Sequence, residues 1–217
     1  MKIDIICSDD FHPKYPFLLD WVSINGETHA VELFQNSHDV VGGDILFLIS
    51  CSELIKLDVR NKYRKCFVIH ASDLPKGRGW SPHVWQILEG KEKIYISLIE
   101  ADDPVDSGKV WKKDCVYLAK DLDFEEICRE LFLSEIKLMD YAVAALGAGK
   151  CGEEQVGEAT YFAKRTPEDS RLNIDKSVRE QFDLLRIADP NRYPAFFDHL
   201  GYRYQLVMKK LGTIDEK

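Results

Sequence analysis

A nearly continuous apolar run at residues 44–51 constrains the fold of this chain more than any other segment. Its sequence is Asp-Ile-Leu-Phe-Leu-Ile-Ser-Cys, after Gly42 and Gly43. It lacks the alternation of apolar and polar residues expected of a strand that has one solvent-exposed face. Parallel strands give such runs because the crossover segments between them cover both faces of the sheet. The run therefore predicts an α/β protein with a largely parallel sheet.

The neighbouring segments fit this interpretation. Short apolar or alternating segments predict strands, and amphipathic segments that begin with proline or a capping residue predict helices. The predicted strands are residues 1–7, 30–34, 65–70, 93–99 and 108–118, and the predicted helices are residues 17–22, 53–57 capped by Ser52, 82–88 after Ser81, and 123–146 capped by Asp123. A chain of 217 residues can bury one such core.

The pattern changes after the glycines near residue 150. Beyond them we predict a polar strand at residues 158–164, a helix at 176–187, and a hairpin of strands 195–199 and 202–208. We therefore expect residues 1–150 to form the sheet domain and residues 151–217 to form a small helix-and-hairpin appendage packed on it.

Composition excludes several classes of protein. A net charge of −8 argues against a nucleic-acid surface, and no run approaches the roughly 20 apolar residues of a membrane span. The six cysteines form no Cys-x-x-Cys pair and are interpreted as reduced thiols of a cytoplasmic protein. Asp9, Asp10 and His12 are the nearest approach to a metal-ligand cluster, and we interpret them as a polar loop, so no metal site is expected.

His70 and Asp106 are the candidate reactive residues. His70 ends an apolar strand and precedes a loop rich in Gly and Pro, and Asp106 lies in Val-Asp-Ser-Gly between two later strands. Ligands of open α/β sheets lie beyond the carboxyl ends of the strands, so both side chains can meet over one pocket. A histidine beside a carboxylate is suited to acid–base work in acyl transfer. Each residue alone also has a structural interpretation, His70 as a histidine of the core and Asp106 as an aspartate of a turn.

This region resembles the folate-dependent formyltransferases. Their pattern is Asn-x-His-x-Ser-Leu-Leu-Pro-x-x-Arg-Gly with a downstream Asp-x-Gly. The similarity extends over about residues 44–210, and Arg-Thr-Pro-Glu-Asp-Ser at 165–170 is similar to the branch that acts on nucleotide sugars. The matching residues are His70, Ser72, Leu74, Pro75, Arg78 and Gly79, then Asp106 and Gly108.

The resemblance implies a Rossmann-like fold and formyl transfer from the co-substrate 10-formyl-tetrahydrofolate to a primary amine. The acceptor implied is a nucleotide-linked 4-amino-4,6-dideoxy sugar, and a homodimer is a common assembly in the family. His70 would accept the amine proton or stabilise the oxyanion. Asp106 would orient or charge His70, or hold a water that relays the proton.

The resemblance also suggests contact residues. The pterin would contact Ile49, Cys51, Leu54 and Ile55 and the backbone from Asp103 to Val105, although core packing explains residues 49–55 equally well. The acceptor would contact Ser72, Lys76, Arg78, Trp80, Arg165 and Arg186. The four cationic residues can also be interpreted as solvated surface charges, and the tryptophan as a packing residue.

Val68 stands where the family has its asparagine, and it has no amide to polarise the formyl carbonyl. Ser72 or a loop N–H are the substitutes that the sequence suggests. The alternatives are a 10-formyl-tetrahydrofolate hydrolase, a methionyl-tRNA formyltransferase-like enzyme, a catalytically silent folate-binding homologue, and a nucleotide-binding module that ignores folates.

Overall fold

A computed structural model describes residues 1–214, and none of the helices in that part of the chain is long and apolar enough to cross a bilayer. The strands are β1 (Lys2–Ile6), β2 (Ala30–Phe34), β3 (Gly43–Leu48), β4 (Tyr63–His70), β5 (Arg78–Gly79), β6 (Lys93–Glu100), β7 (Val110–Tyr117), β8 (Tyr161–Phe162), β9 (Ala195–His199) and β10 (Tyr202–Leu206). The α-helices are α1 (Tyr15–Asn25), α2 (Leu57–Arg60), α3 (Pro82–Leu88), α4 (Phe124–Gly147) and α5 (Phe182–Arg186).

Six strands form the main sheet in the order β2-β1-β3-β4-β6-β7. The pairings among β2, β1, β3 and β4 are parallel, and β6 and β7 add an antiparallel edge. β9 and β10 form a separate antiparallel hairpin. The predicted α/β class, the mostly parallel sheet and the C-terminal helix and hairpin are therefore confirmed.

The central strands are covered on both faces, as the apolar run predicted. Phe47 and Phe67 belong to the larger core beneath α1 and α4, while Leu46 and Leu48 belong to a smaller core on the other face. α4 starts where the sequence predicts, because the carboxylate of Asp123 accepts from the backbone N–H of Glu126 and the Glu126 side chain accepts from Asp123 in return.

Three predicted elements need correction. The helix predicted at residues 53–57 is wrong: the carboxylate of Glu53 accepts hydrogen bonds from Ser37 and holds this segment against a neighbouring loop, and α2 begins only at Leu57. The strand predicted at 158–164 is reduced to β8 because its partner, β5, has two residues. The helix predicted at 176–187 is divided into a 3₁₀ turn, Arg179–Gln181, and α5, since the side chains of Glu180 and Gln181 accept hydrogen bonds from nearby backbone N–H groups.

Residues after 150 contact the sheet domain through backbone hydrogen bonds. β8 pairs with β5 in parallel, and Glu153 bridges Val110 at the start of β7. The division of the chain at residue 150 stays a prediction.

Candidate active site

A cavity of about 660 Å³ opens at the carboxyl ends of β3 and β4. His70, the last residue of β4, and Asp106, in the turn between β6 and β7, both line it. Their side chains are 8% and 7% exposed, and His70 Nδ1 lies 3.6 Å from Asp106 Oδ1. The structure thus brings the two candidate reactive residues together over one pocket.

The backbone around Asp106 is held in an unusual conformation. Asp106 has a φ of 62°, in the left-handed region that few non-glycine residues adopt. The N–H of Gly79 donates to Asp106 Oδ2 at 2.9 Å, and the amide of Gln155 donates to the carbonyl oxygens of Asp106 and Gly108 at 2.8 and 2.9 Å. These bonds fix the direction of the carboxylate toward His70.

The hydrogen bonds of His70 determine which ring nitrogen carries the proton. Nε2 lies 2.8 Å from the carbonyl oxygen of Gly77, which can only accept, so Nε2 is the protonated nitrogen of the neutral ring. Nδ1 therefore presents its lone pair beside the carboxylate of Asp106. A proton taken up at Nδ1 creates an imidazolium next to a carboxylate, which stabilises it.

An apolar row forms the floor of the cavity beside this pair. Leu48, Val68 and Ile99 occupy paired positions on β3, β4 and β6, and all three line the cavity. Of the residues suggested for the pterin, Cys51, Leu54, Ile55, Asp103 and Val105 line the cavity. Ile49 is different: it is 2% exposed and packs in the larger core.

The residues suggested for the acceptor separate into two groups. Trp80 and Arg165 line the cavity. The other four, Ser72, Lys76, Arg78 and Arg186, lie outside its lining, and each has a different setting described next.

Two of these four have identifiable structural partners. Arg78 Nη2 donates to Gln155 Oε1 at 2.6 Å, so Arg78 supports the residue that supports Asp106. Arg186 is 1% exposed and donates to Asp183 and to the carbonyl of Ala119, which ties α5 to the main sheet domain. Ser72 is also 1% exposed, and Lys76 is on the surface.

The two glycines of the β4–α3 loop, Gly77 and Gly79, are required by the packing of this loop on Phe162. Gly79 has a φ of 98°, and a Cβ on it would lie 2.4 Å from the carbonyl oxygen of Phe162. A Cβ on Gly77 would lie 2.9 Å from the ring of Phe162. Both glycines let this loop approach β8.

Sequence reasoning missed a polar cluster that lines the same cavity. Lys14 forms a buried ion pair with Glu135, and burial raises the pKa of the Glu135 carboxyl. Burial lowers the pKa of His12 to about 3 and that of His83 to about 4, so both are neutral at pH 7. Glu135 offered a signal, because it is a charged residue on the apolar face of α4. Within residues 1–214 we find no group of side chains placed to hold a metal ion.

No protein-family model matches this chain. Among solved structures, methionyl-tRNA formyltransferase from Clostridium thermocellum matches with a TM-score of 0.80 at 22% identity, over 98% of this chain and 94% of that one. A 4-N formyltransferase from Francisella tularensis matches with a TM-score of 0.73 at 19% identity, over 98% of both chains.

The HypX protein from Aquifex aeolicus, solved in complex with tetrahydrofolic acid, matches with a TM-score of 0.82 at 18% identity. That match covers 96% of this chain and 37% of HypX. The chain therefore has the fold of the formyltransferases.

Proposed function

We propose that the protein is an N-formyltransferase that moves a formyl group from 10-formyl-tetrahydrofolate to the amine of a nucleotide-linked 4-amino-4,6-dideoxy sugar. The observation that carries this proposal is the buried His70–Asp106 pair, with its free Nδ1, at the wall of a cavity with an apolar floor. The chain matches formyltransferases that differ in their acceptors. These matches support formyl transfer as the reaction, and the choice of acceptor depends on the residues of this chain.

The proton transfers follow from the tautomer of His70. When bound, 10-formyl-tetrahydrofolate supplies the formyl carbon that the amine attacks. His70 accepts at Nδ1 the proton that the amine loses as the new carbon–nitrogen bond forms, and Asp106 stabilises the imidazolium. The bond from the formyl carbon to N10 of the folate breaks, and His70 returns the proton to that nitrogen. The products are a formamide and tetrahydrofolate.

The cavity has suitable dimensions and chemistry for the flat donor. Its volume of about 660 Å³ lies within the range of small-molecule sites, which are mostly apolar with a few placed polar groups. Leu48, Val68 and Ile99 give a flat apolar surface, and Ile55 continues it. The backbone near Asp103, which Arg60 holds by an ion pair, offers polar atoms to the pterin edge.

The mouth of the cavity supports an acceptor with a planar base and phosphates. Trp80 and Tyr161 line it, and these residues are 50% and 68% exposed. Lys164 Nζ lies 4.5 Å from the centroid of the Trp80 ring, at the same rim. Exposed aromatic rings stack with nucleobases, and a lysine at the rim attracts phosphate. The net charge of −8 disfavours a long polyanion such as tRNA.

A mass-spectrometric assay tests the proposal. The protein is incubated with 10-formyl-tetrahydrofolate and a panel of UDP- and dTDP-linked 4-amino sugars, and each sugar is examined for the gain of one formyl group. We expect one or a few sugars to gain it in step with tetrahydrofolate release. Release of formate without formamide would instead identify a hydrolase. Folate binding without turnover would identify a silent homologue, and formylation of methionyl-tRNA alone would replace the proposed acceptor.

A further inference from the structure

Formyl transfer is favoured by a hydrogen-bond donor at the formyl oxygen, and neither His70 nor Val68 supplies one. Negative charge develops on the formyl oxygen as the amine attacks, and an aligned donor stabilises it. His70 presents a lone pair at Nδ1 and commits its proton to Gly77, while Val68, on the same face of β4, has an apolar side chain. Ser72, the side-chain substitute that the sequence suggests, is 1% exposed and lies outside the cavity lining.

Ser50 is the candidate for this donor. Leu48 pairs with Val68 in the parallel β3–β4 ladder, so Ser50 and His70, each two residues further on, follow at the same edge of the sheet. Ser50 lines the cavity with His70. It also has a φ of 51°, a strained conformation for a serine, and such strain is concentrated at functional sites.

His12 determines the direction of the Ser50 hydroxyl. The backbone N–H of Lys14 donates to His12 Nδ1 at 3.1 Å, so the neutral ring carries its proton on Nε2. His12 Nε2 lies 3.2 Å from Ser50 Oγ and therefore donates to it. The hydroxyl oxygen is thus used as an acceptor, and within residues 1–214 Ser50 Oγ donates no hydrogen bond to another side chain or to the backbone.

We propose that Ser50 is a further catalytic residue, whose hydroxyl donates to the formyl oxygen as charge develops on it, and that His12 is the positioning residue that holds the hydroxyl. The inference rests on the proposed function and deepens it, because it assigns the donor that complements the base His70. It also accounts for the apolar residue at position 68, since the chain supplies the donor from the segment that follows the adjacent strand, β3.

Removing the hydroxyl is the direct test. We expect Ser50→Ala to lower kcat for formyl transfer about a hundredfold, the usual effect of losing one such donor, with little change in KM. Ser50→Gly should lose the same activity while relieving the strain, so a normal melting temperature separates lost chemistry from lost fold. Ser23→Ala is the matched control, because Ser23 is exposed on α1 and lies outside the cavity lining. A kcat within threefold of wild type for both Ser50 variants would overturn the inference.

Two further variants test whether Ser50 acts as the donor and whether His12 acts through it. Adding Val68→Asn to Ser50→Ala should recover at least tenfold in kcat, because the amide can donate from the neighbouring strand. His12→Phe should lower kcat in the wild-type background but not in the Ser50→Ala background, since His12 acts through the hydroxyl. Equal losses in both backgrounds would contradict the positioning role.

The outcome also separates this inference from the proposed function. If wild-type protein transfers formyl and the Ser50 variants do so equally well, the inference fails and the function stands. If wild-type protein neither transfers nor hydrolyses the formyl group, both fail together.

Discussion

At the scale of the residue, hydrogen bonds to backbone groups determine the chemistry of the site. His70 and His12 each have one ring nitrogen committed to the main chain, and in opposite senses: His70 donates to a carbonyl, and His12 accepts from an N–H. His70 is therefore left with a lone pair and His12 with a proton to donate. A single sequence cannot show this difference, because the side chain is the same at both positions and the backbone partners are not encoded locally.

The depressed pKa of His12 predicts how stability responds to acid. The folded state holds His12 neutral down to about pH 3, whereas the unfolded chain protonates it near its ordinary value of 6.5. The unfolded state binds the proton more readily between these values, so the free energy of unfolding should fall as pH falls below about 6.5. His83 contributes in the same sense down to about pH 4.

Urea unfolding between pH 7 and pH 4 checks this. We expect His12→Gln to lose less stability on acidification than wild type does. His38→Gln, at an exposed histidine, should behave like wild type. Identical pH slopes for wild type and His12→Gln would contradict the account.

At the scale of the element, the short pairing of β5 with β8 connects the reactive loop to the C-terminal part of the chain. Gly79 is required there for two reasons, its φ of 98° and the approach of the Phe162 carbonyl. Its N–H also bonds Asp106, so the same residue supports the carboxylate.

Gly79→Ala should therefore destabilise the fold and lower activity together. Gly90→Ala is the matched control, because Gly90 also has a positive φ, of 80°, but no atom lies within 4 Å of its added Cβ. We expect Gly79→Ala to lower the melting temperature clearly more than Gly90→Ala. Equal losses would show that the approach of Phe162 is unimportant.

A second contact between elements is the buried ion pair of Lys14, before α1, with Glu135 on α4. Removing one partner leaves the other charge buried and alone, so Lys14→Met should cost about 3–5 kcal/mol in the free energy of unfolding. Lys120→Met, which breaks a surface pair with Glu92, should cost far less than Lys14→Met. A small loss for Lys14→Met in urea unfolding would contradict this.

The main sheet and part of the candidate site could be predicted from the sequence. Apolar runs and capping signals predict β3, β4 and α4 because these signals are local. The contacts of Ser50 and Gln155 could not be predicted, because they join loops far apart in sequence that carry no periodicity. Residues 53–57 were mispredicted for the same reason, since the bonds of Glu53 to Ser37 are long-range.

At the scale of the whole molecule, the cavity combines two parts of the chain. The sheet supplies the apolar floor and the His70–Asp106 pair, while Tyr161, Lys164 and Arg165 supply one side of the mouth. In the proposed reaction, the chemistry would therefore depend on residues before 150. Recognition of the acceptor would depend on segments after residue 150.

The rate of formyl transfer by His70→Ala tests the central claim most directly. With 10-formyl-tetrahydrofolate and an amino sugar accepted by the wild type, we expect kcat to fall about 10²- to 10⁴-fold, as for loss of a general base, while the melting temperature stays near that of wild type. His38→Ala should keep full activity. Turnover by folded His70→Ala close to that of wild type would contradict the assignment of this imidazole as the base.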